Sequence, residues 1–546
     1  MSNWWAEKDT PVRTDSHVRY CVDARSTLFT MCCHFLIARH YIYLASWGMT
    51  PMMKLVRGTD HRAGPDGSPE QEALLDELRA EGLGEAEIDF WRSHELTIQA
   101  VLGNAVSKGC EVNVLLWSGS KLFSHYNPRA VQEQLTRVGV TCILDDSAFG
   151  MLHHPIESLH QKIAVVDGAH AYVGGIDPLI EPSGDFDRWD YPSHRYYEEE
   201  SSLHPWHDAH GIIEGPAVGD VELNFRQRWN DVVQRHHLDN RLLVGEHPLP
   251  PPLASNSLVQ VARTIPRHTY SFAPQEGIQG IAQLYMHAVS NAQHFVYLEN
   301  QYFWSHVFYG IDNPLLGTSS PEMEGIIREL GAALRRGATV AMVLPDHPNV
   351  GRAFTDAGLD RLREEAPEAA AQGRIQAFCL ATSASIDGEE HYRAIYVHAK
   401  VAIVDDLWST VGSANLNNRG MRDDTEMNVA VLNAELARGL RLLLWAEHLG
   451  LVSEDDLLIV ARHLNHQRQG MSVDERTADL FHRMQEQLGN PLIGLHLMVE
   501  HARHNLHRYK AKQPLVCHLL PYLTAKEAKR QGLHFREAHG WVEVTE

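Results

Sequence analysis

The sequence predicts an α/β protein with two similar lobes, each a mixed β-sheet flanked by helices, and a C-terminal helical extension. Two observations carry this prediction. One polar motif occurs twice with identical internal spacing, and the same order of apolar segments precedes each copy. Helical apolar spacing lies between those segments, and strand–helix–strand alternation is typical of a sheet covered by helices. We therefore expect the lobes to be related by a pseudo-twofold duplication.

The strand-like segments are short β-branched runs bounded by turn residues, a pattern that predicts buried strands. In the order in which they precede the two motif copies, they are 41–47, 109–116 and 140–144 in the first half, and 295–300, 337–344 and 375–379 in the second. Residues 325–336 carry apolar side chains at helical spacing. Residues 63–95 are rich in glycine, proline and acidic residues and predict a surface insertion.

The expected boundaries follow from this order and from a proline-rich turn segment between the halves. They are an N-terminal lobe at 1–245, a linker at 246–256, a C-terminal lobe at 257–450 and a helical extension at 451–546.

The duplicated motif is H-x-K-x4-D-x6-G-(G/S)-x-(D/N). The first copy runs from His160 to Asp177, and the second from His398 to Asn415. Each histidine and lysine enter a predicted strand two residues apart, so both side chains point to one face. Lysine supplies positive charge for a phosphate oxygen, and histidine can attack phosphorus or donate a proton near neutral pH. The motif therefore predicts phosphate chemistry.

These residues resemble the HKD signatures of the phospholipase D superfamily. Flanking segments resemble the true phospholipases D within it, over roughly residues 20–450, at 175–177 with 188–190, 205–210, 215–218, 226–230, 297–303 and 444–450. The resemblance implies two phospholipase-D-like lobes. Two-step hydrolysis needs one group to attack phosphorus and another to protonate the leaving alcohol, so we expect the two histidines to face each other across one phosphate. We expect no cofactor, because the lysines supply the positive charge.

The predicted catalytic residues are His160, Lys162, Asp167, His398, Lys400 and Asp405. The resemblance assigns nucleophilic attack to His160 and the acid/base role to His398. From the residues alone the two roles could be exchanged. Asp167 and Asp405 end their strands, where a carboxylate is better placed to fix a turn than to touch substrate. Further histidines at 153, 154, 207 and 210 are interpreted as structural.

The predicted supporting residues are Gly175, Asp177, Asp190, Ser413, Asn415 and Glu426. Glycine lets the backbone approach a ligand closely. We expect Ser413 and Asn415 to hydrogen-bond phosphate oxygens and Asp177 to orient a histidine. Glu426 would hold one imidazole in the required tautomer, and Asp190, with Asp187 as the alternative, would do so for the other.

The leading functional prediction is a phospholipase D that acts on glycerophospholipids such as phosphatidylcholine through a phosphohistidine intermediate, with transfer to alcohols as a side activity. Three alternatives stay open. They are a cardiolipin-synthase-like phosphatidyltransferase, a nuclease of the same superfamily, and a non-catalytic lipid-binding module, which the two intact His-Lys pairs disfavour.

Composition and charge limit the kinds of binding partner that we expect for this protein. The 546 residues carry a net charge of −22, which argues against nucleic acid as the main partner. No apolar run approaches the roughly 18 residues of a membrane helix, and no secretory signal pattern opens the chain. We expect a soluble monomer that is cytoplasmic, or delivered without a signal peptide, and meets phospholipid peripherally. The seven cysteines predict buried free thiols, and no spacing predicts a metal site.

Overall fold

A computed structural model describes the protein at residues 3–61, 69–119, 127–147, 158–179, 186–187, 204–245, 247–306, 320–346, 351–452, 475–536 and 540–542. The first half contributes the strands β1 (His17–Val22), β2 (Tyr41–Ser46), β3 (Glu111–Trp117), β4 (Thr141–Asp145), β5 (Ile163–Val166), β6 (His170–Gly174), β7 (Phe186–Asp187), β8 (His204–His207) and β9 (Ala209–Glu214).

The second half contributes β10 (Leu258–Ile265), β11 (Ile278–Gln279), β12 (Phe295–Asn300), β13 (Thr339–Val343), β14 (Ile375–Ile386), β15 (Glu389–Val397), β16 (Lys400–Val404), β17 (Trp408–Gly412), β18 (Glu426–Leu432) and β19 (Leu519–Pro521). The α-helices are Asp23–Ile37, Pro69–Ala80, Glu85–Ser93, Ile98–Ser107, Pro128–Arg137, Val218–Arg235, Gly280–Ser290, Pro321–Arg336, Arg352–Glu365, Pro367–Ala371, Ala434–His448, Glu475–Leu488, Pro491–Lys510 and Ala525–Arg530.

The two halves repeat one sheet topology. Within the described residues, the first sheet has the order β1-β9-β6-β5-β2-β3-β4, and the second contains the run β10-β18-β17-β16-β12-β13-β14. In each of these two runs three consecutive strands are parallel, β2-β3-β4 and β12-β13-β14, and the other neighbours in the run pair antiparallel. The predicted fold of two mixed sheets flanked by helices is confirmed.

The two sheets pack against each other through the strands that follow the motifs. β6 and β9 contact β17 and β18, and one cluster of buried side chains includes Val18, Val173, Val261 and Val429 from both sheets. A hydrogen bond of 2.9 Å joins the Tyr20 and Ser409 hydroxyls across this interface. The duplicated strands therefore share one core, which brings the two motif strands into the same region.

Several pieces of chain cross between the halves. β8 pairs with β15 of the second sheet, and β7 pairs with β8. Near the N-terminus, Arg13 forms a bridge with Val259, and Asp9 holds the Arg263 guanidinium at 2.8 Å. The domain boundaries given above stay a prediction.

One local prediction is corrected. The described part of the segment predicted as a surface insertion forms two helices whose Leu78 and Trp91 are buried in the first lobe's core. The described part of the C-terminal extension is mainly helical, as predicted, and its one short strand, β19, pairs antiparallel with β14. All seven cysteines are buried and free, as predicted.

Candidate active site

The two motif histidines stand at the entrances of equivalent strands, and the other half of the molecule holds each of them. The backbone N–H of His160, ahead of β5, donates to the carbonyl of Thr425 at 3.0 Å. The N–H of His398, ahead of β16, donates to the carbonyl of His207 at 2.8 Å. Each motif is therefore pinned to the chain segment that precedes a strand of the opposite sheet.

The side-chain contacts cross in the same way. Nδ1 of His160 lies 2.9 and 3.0 Å from the two carboxylate oxygens of Glu426, and Nδ1 of His398 lies 2.6 Å from Oδ2 of Asp208. A carboxylate on Nδ1 fixes the ring orientation and the tautomer, so Nε2 is the ring nitrogen that can take part in a reaction. Side-chain exposure is 16% for His160 and 4% for His398. Each imidazole is thus oriented by a carboxylate of the other half.

The two motif lysines are buried beside their histidines. Nζ of Lys162 lies 2.8 Å from the carbonyl oxygen of His160 and 3.1 Å from Oδ2 of Asp177. Nζ of Lys400 donates to the carbonyl of His398 and, at 3.3 Å, to Oε1 of Gln301. Relative exposure is 2% for Lys162 and 0% for Lys400, so both charges act with little screening by water.

The electrostatics join the two motifs into one site. Burial raises the pKa of Asp208 to about 6, and Lys400 and Lys162 are among the groups that oppose this increase. Burial and then the nearby Asp424 raise the pKa of Glu426, which the same two lysines oppose. Because each ammonium group acts on both carboxylates, the buried charged groups of the two motifs interact electrostatically with one another.

The second residue of the Gly-Gly or Gly-Ser pair in each motif lies against the carboxylate that contacts a motif histidine. A Cβ placed on Gly175 would overlap the carboxylate of Asp208, so glycine here makes room for the group that holds His398. The Ser413 hydroxyl donates to Glu426 at 2.5 Å. In this structure the O–H of Ser413 is directed to the carboxylate that orients His160, and its expected contact with phosphate stays a prediction.

The two residues that end the motifs lie close to the lysines. Asn415 donates through Nδ2 to Oε1 of Gln301 at 3.1 Å, the same oxygen that Lys400 contacts, and its contact with phosphate stays a prediction. Asp177 accepts from the Ser46 hydroxyl at 2.5 Å and pairs with Lys162. Its expected role in orienting a histidine stays a prediction.

Asp167 and Asp405 fix turns, as the sequence analysis favoured, and their assignment as catalytic residues stays a prediction. Asp167 accepts the backbone N–H groups of residues 39, 40 and 41, and Asp405 those of residues 293, 294 and 295, at 2.7–2.9 Å. Each lies at the far end of its motif strand, away from the histidine that begins it. Three amide donors occupy each carboxylate, which fixes the chain entering β2 or β12.

Asp190, predicted to orient the second imidazole, lies outside the described residues, as does the side chain of its alternative, Asp187. The carboxylate that contacts His398 is Asp208, which the sequence analysis missed. Its equivalence to Glu426 becomes recognisable once the strand pairing is known. His210 pairs with Gly174 as Asn428 pairs with Gly412, and Asp208 precedes His210 by the same two residues that separate Glu426 from Asn428.

A buried ionic cluster lies behind the His398–Asp208 pair. Nδ1 of His207 is 2.9 Å from Oδ1 of Asp23, its Nε2 is 2.7 Å from Oε2 of Glu299, and Nε2 of His448 is 2.9 Å from the other oxygen of Glu299. Glu447 lies 3.7 Å from His207. Among the described residues, His207, Glu447 and His448 bring metal-ligand atoms within 4.8 Å of one another.

The donor chemistry of this cluster does not fit a metal ion. Both ring nitrogens of His207 lie at hydrogen-bond distance from carboxylates, which only accept when ionised. Both nitrogens therefore carry protons, and an imidazolium has no lone pair to offer a metal. We interpret the cluster as an ion-pair network.

Fold and site together define a two-lobed protein in which the histidines of two duplicated His-Lys motifs are each paired with a carboxylate of the other half. Two family models match the chain, one described as phospholipase D at residues 85–311 and one as cardiolipin synthase, PLD-like domain, at residues 285–444. The chain belongs to the phospholipase D superfamily.

Individual relatives carry related names. Phospholipase D alpha 1 of Carica papaya is 26% identical over an aligned length of 533 residues. The match covers 76% of this chain and 63% of the relative. Phospholipase D A of Dictyostelium discoideum is 25% identical and matches 65% of this chain and 32% of its own. The chain therefore spans less than two thirds of these relatives.

Among solved structures, phosphatidylserine synthase of Haemophilus influenzae Rd KW20 aligns with 76% of this chain and 82% of its own, at 13% identity and a TM-score of 0.44. Among the residues that the structure describes, no helix combines the length and the apolar character needed to cross a bilayer.

Proposed function

We propose that the protein is a phospholipase D that hydrolyses the distal phosphodiester bond of glycerophospholipids such as phosphatidylcholine, releasing phosphatidic acid and the free headgroup. The observation that carries the proposal is the crossed arrangement in which His160 pairs with Glu426 and His398 pairs with Asp208. Two imidazoles with Nδ1 held by carboxylates can divide nucleophilic attack and proton transfer. The names of the relatives support a phospholipid substrate.

In the first step, Nε2 of neutral His160 attacks phosphorus and the bond from phosphorus to the headgroup oxygen breaks. The departing oxygen takes a proton from Nε2 of His398, so the headgroup leaves as an alcohol. The product is a phosphatidyl group bonded to His160, whose Nδ1–H stays hydrogen-bonded to Glu426. The role of His160 as the nucleophile follows the family resemblance.

In the second step, His398 is neutral and takes a proton from water at Nε2. The oxygen of that water attacks phosphorus, the bond from phosphorus to Nε2 of His160 breaks, and phosphatidic acid leaves. A primary alcohol in place of water gives a phosphatidyl alcohol. Both outcomes use the same groups in the same protonation states, so we expect hydrolysis and transfer to compete at one site.

The buried lysines would stabilise the charge that grows on the phosphate oxygens in both steps. Lys162 and Lys400 bring two positive charges into a pocket that also holds Asp177, Asp208 and Glu426. Fixed charges in a site of low water content stabilise a transition state more strongly than the same charges in water. Asn415, beside Lys400 through Gln301, is a further donor for phosphate.

The proposed substrate is part of a membrane, so we infer that the protein meets lipid surfaces peripherally. The expected monomeric state stays a prediction.

A second candidate is a phosphatidyltransferase of the cardiolipin-synthase type. The observation that favours it is the second family model, which covers the half containing His398. The chemistry of the two steps is unchanged, with the hydroxyl of one phosphatidylglycerol replacing water. Formation of cardiolipin from phosphatidylglycerol, without headgroup release from phosphatidylcholine, would favour this candidate.

The test is a panel of vesicles of phosphatidylcholine, phosphatidylethanolamine or phosphatidylglycerol, with and without ethanol and with a chelator present. We expect headgroup release, a phosphatidylethanol product in ethanol, and loss of both in His160→Ala. The matched control is His482→Ala, because that imidazole is 74% exposed on a surface helix. Unchanged headgroup release in His160→Ala would refute the proposal.

A further inference from the structure

His207 lies between carboxylates from the two halves of the chain. Asp23 contacts its Nδ1 at 2.9 Å and Glu299 its Nε2 at 2.7 Å, and its side chain has 0% exposure. Glu299 also accepts from His448 and from the Tyr297 hydroxyl at 2.5 Å. As argued above, this geometry requires a doubly protonated, positively charged His207. Burial would lower the pKa of His207, and the two carboxylates raise it well above its ordinary value.

The backbone of His207 contacts the backbone of His398, the proposed acid/base residue. Its carbonyl accepts the N–H groups of His398 at 2.8 Å and Ala399 at 3.1 Å, and Val397 is its β-sheet partner. The next residue is Asp208, which holds Nδ1 of His398. The N–H of Asp208 donates to Oδ1 of Asp23 at 3.0 Å, and the N–H of Asp23 donates to the carbonyl of Asp208 at 2.8 Å. The residue directly before Asp208 of the His398–Asp208 pair is therefore His207, whose positively charged ring is held by Asp23 and Glu299.

The other half makes the same backbone contact without a charge. Thr425 precedes Glu426 as His207 precedes Asp208, and its carbonyl accepts the N–H of His160 at 3.0 Å. A neutral threonine therefore suffices for that contact. What His207 adds to the His398–Asp208 pair is a buried positive charge next to Asp208.

We propose that His207 is a positioning residue for the His398–Asp208 pair, a permanent imidazolium that fixes Asp208 in place and keeps its carboxylate ionised. The proposal rests on the proposed function, in which His398 must hold a proton before the headgroup leaves. An ionised Asp208 stabilises the protonated form of His398 that this step requires.

The carboxylates of the two histidine–carboxylate pairs have different charged neighbours. A positive group, His207, lowers the pKa of Asp208, whereas a negative group, Asp424, raises the pKa of Glu426. Burial raises the pKa of Asp208 to about 6, and His207 is one of the groups that lower it, after Lys400 and the N–H of Ala209. For Glu426, the neighbouring carboxylate of Asp424 adds to the effect of burial and raises the pKa further. Among the described residues, the titratable groups found near His207 include Asp23, Glu299, Glu447, His448 and Asp208.

The test is His207→Gln, assayed as kcat against pH on para-nitrophenylphosphocholine, a soluble chromogenic phosphodiester. Loss of the positive charge raises the pKa of Asp208, so the acid limb of kcat moves upward by about one pH unit. We expect little change in KM, because His207 touches no substrate. The shift should vanish in the Asp208→Asn background.

The matched control is His448→Gln, which removes the other imidazole on Glu299 but leaves the residue attached to Asp208 and His398. It should move the acid limb less than His207→Gln does. An unmoved limb in folded His207→Gln, or equal shifts in both variants, would overturn the proposal. If His207→Gln does not fold, Glu299→Gln, which removes one of the carboxylates that keep His207 charged, should shift the limb in the same direction.

A second measurement separates this inference from the proposed function. The carboxyl band of Asp208, taken as the infrared difference between wild type and Asp208→Asn, is followed through pH without any substrate. His207→Gln should raise the pH at which that band titrates. A wild type that turns over no phosphodiester would defeat the proposed function, while the position of the band would still decide the role of His207.

Discussion

Asp208 and Glu426 occupy equivalent positions in the two sheets, yet each contacts the histidine of the other half. Asp208 precedes β9 and binds His398, whereas Glu426 begins β18 and binds His160. The exchange means that each motif histidine takes the carboxylate on its Nδ1 from the half that does not contain it. A duplicated fold thereby becomes a single site, because each sheet supplies the group that orients the nucleophile or acid of its partner.

Removing either crossed carboxylate should disable catalysis. Glu426→Gln and Asp208→Asn keep size but lose the charge that orients and stabilises an imidazolium. Since positioned acid–base groups contribute about 10²–10⁴-fold, we expect kcat to fall by about that factor in each variant. Headgroup release, normalised to folded protein, measures it. Glu364→Gln, at an exposed carboxylate, is the control, and kcat within twofold of wild type in both site variants would contradict the crossed pairing.

The acid limb of activity should reflect Asp208. Burial raises the pKa of that carboxyl to about 6, so it gains a proton as pH falls through about 6 and can no longer stabilise protonated His398. Activity should therefore be retained above this value and lost below it. A kcat–pH profile from pH 4.5 to 8 checks the limb. Persistence of the same limb in Asp208→Asn would assign it to another group.

Gly175 should tolerate no side chain. The Cβ of Gly175→Ala would overlap the Asp208 carboxylate and push it from His398, so we expect kcat to fall by about 10²-fold or more. Overpacking should also lower the free energy of unfolding by about 1–3 kcal/mol. Gly388→Ala is the control, because Gly388 has a φ of 85° and open space around it. That variant should lose some stability and keep its kcat.

Asp405 should matter for stability more than for chemistry. Asp405→Ala leaves three backbone N–H groups at the entrance of β12 without their acceptor. We expect the free energy of unfolding to fall by about 2–4 kcal/mol, measured by denaturant titration, with kcat of the folded fraction nearly unchanged. Asp360→Ala, at a carboxylate 59% exposed, is the control. A large loss of kcat at unchanged stability would instead support Asp405 as a catalytic residue.

The strands and the motif positions could be predicted because their signals are local. The run at 163–166 forms β5, and the duplicated spacing of His160 and His398 places both at strand entrances. The crossed partner of His398 could not be found this way. A longer stretch of chain separates Gly174 from Asp208 than Gly412 from Glu426, so counting along the sequence led to Asp190.

Other elements depend on tertiary contacts that composition hides. The acidic helix Pro69–Ala80 carries enough apolar side chains on one face to bury Leu78, although its average composition is that of a surface segment. β19 is three residues long, ends in a proline, and exists because β14 offers it an edge. The composition of the first segment therefore outweighed its helical spacing in the prediction, and β19 is too short for a periodic pattern to predict it.

The central claim is that both halves serve one phosphate, and the kcat values of His160→Ala and His398→Ala on a soluble phosphodiester test it most directly. A shared site predicts that each substitution alone abolishes turnover to below about 10⁻³ of wild type, because one histidine cannot complete the two steps. Two independent sites would instead leave about half of the activity in each variant, and that result would contradict the account.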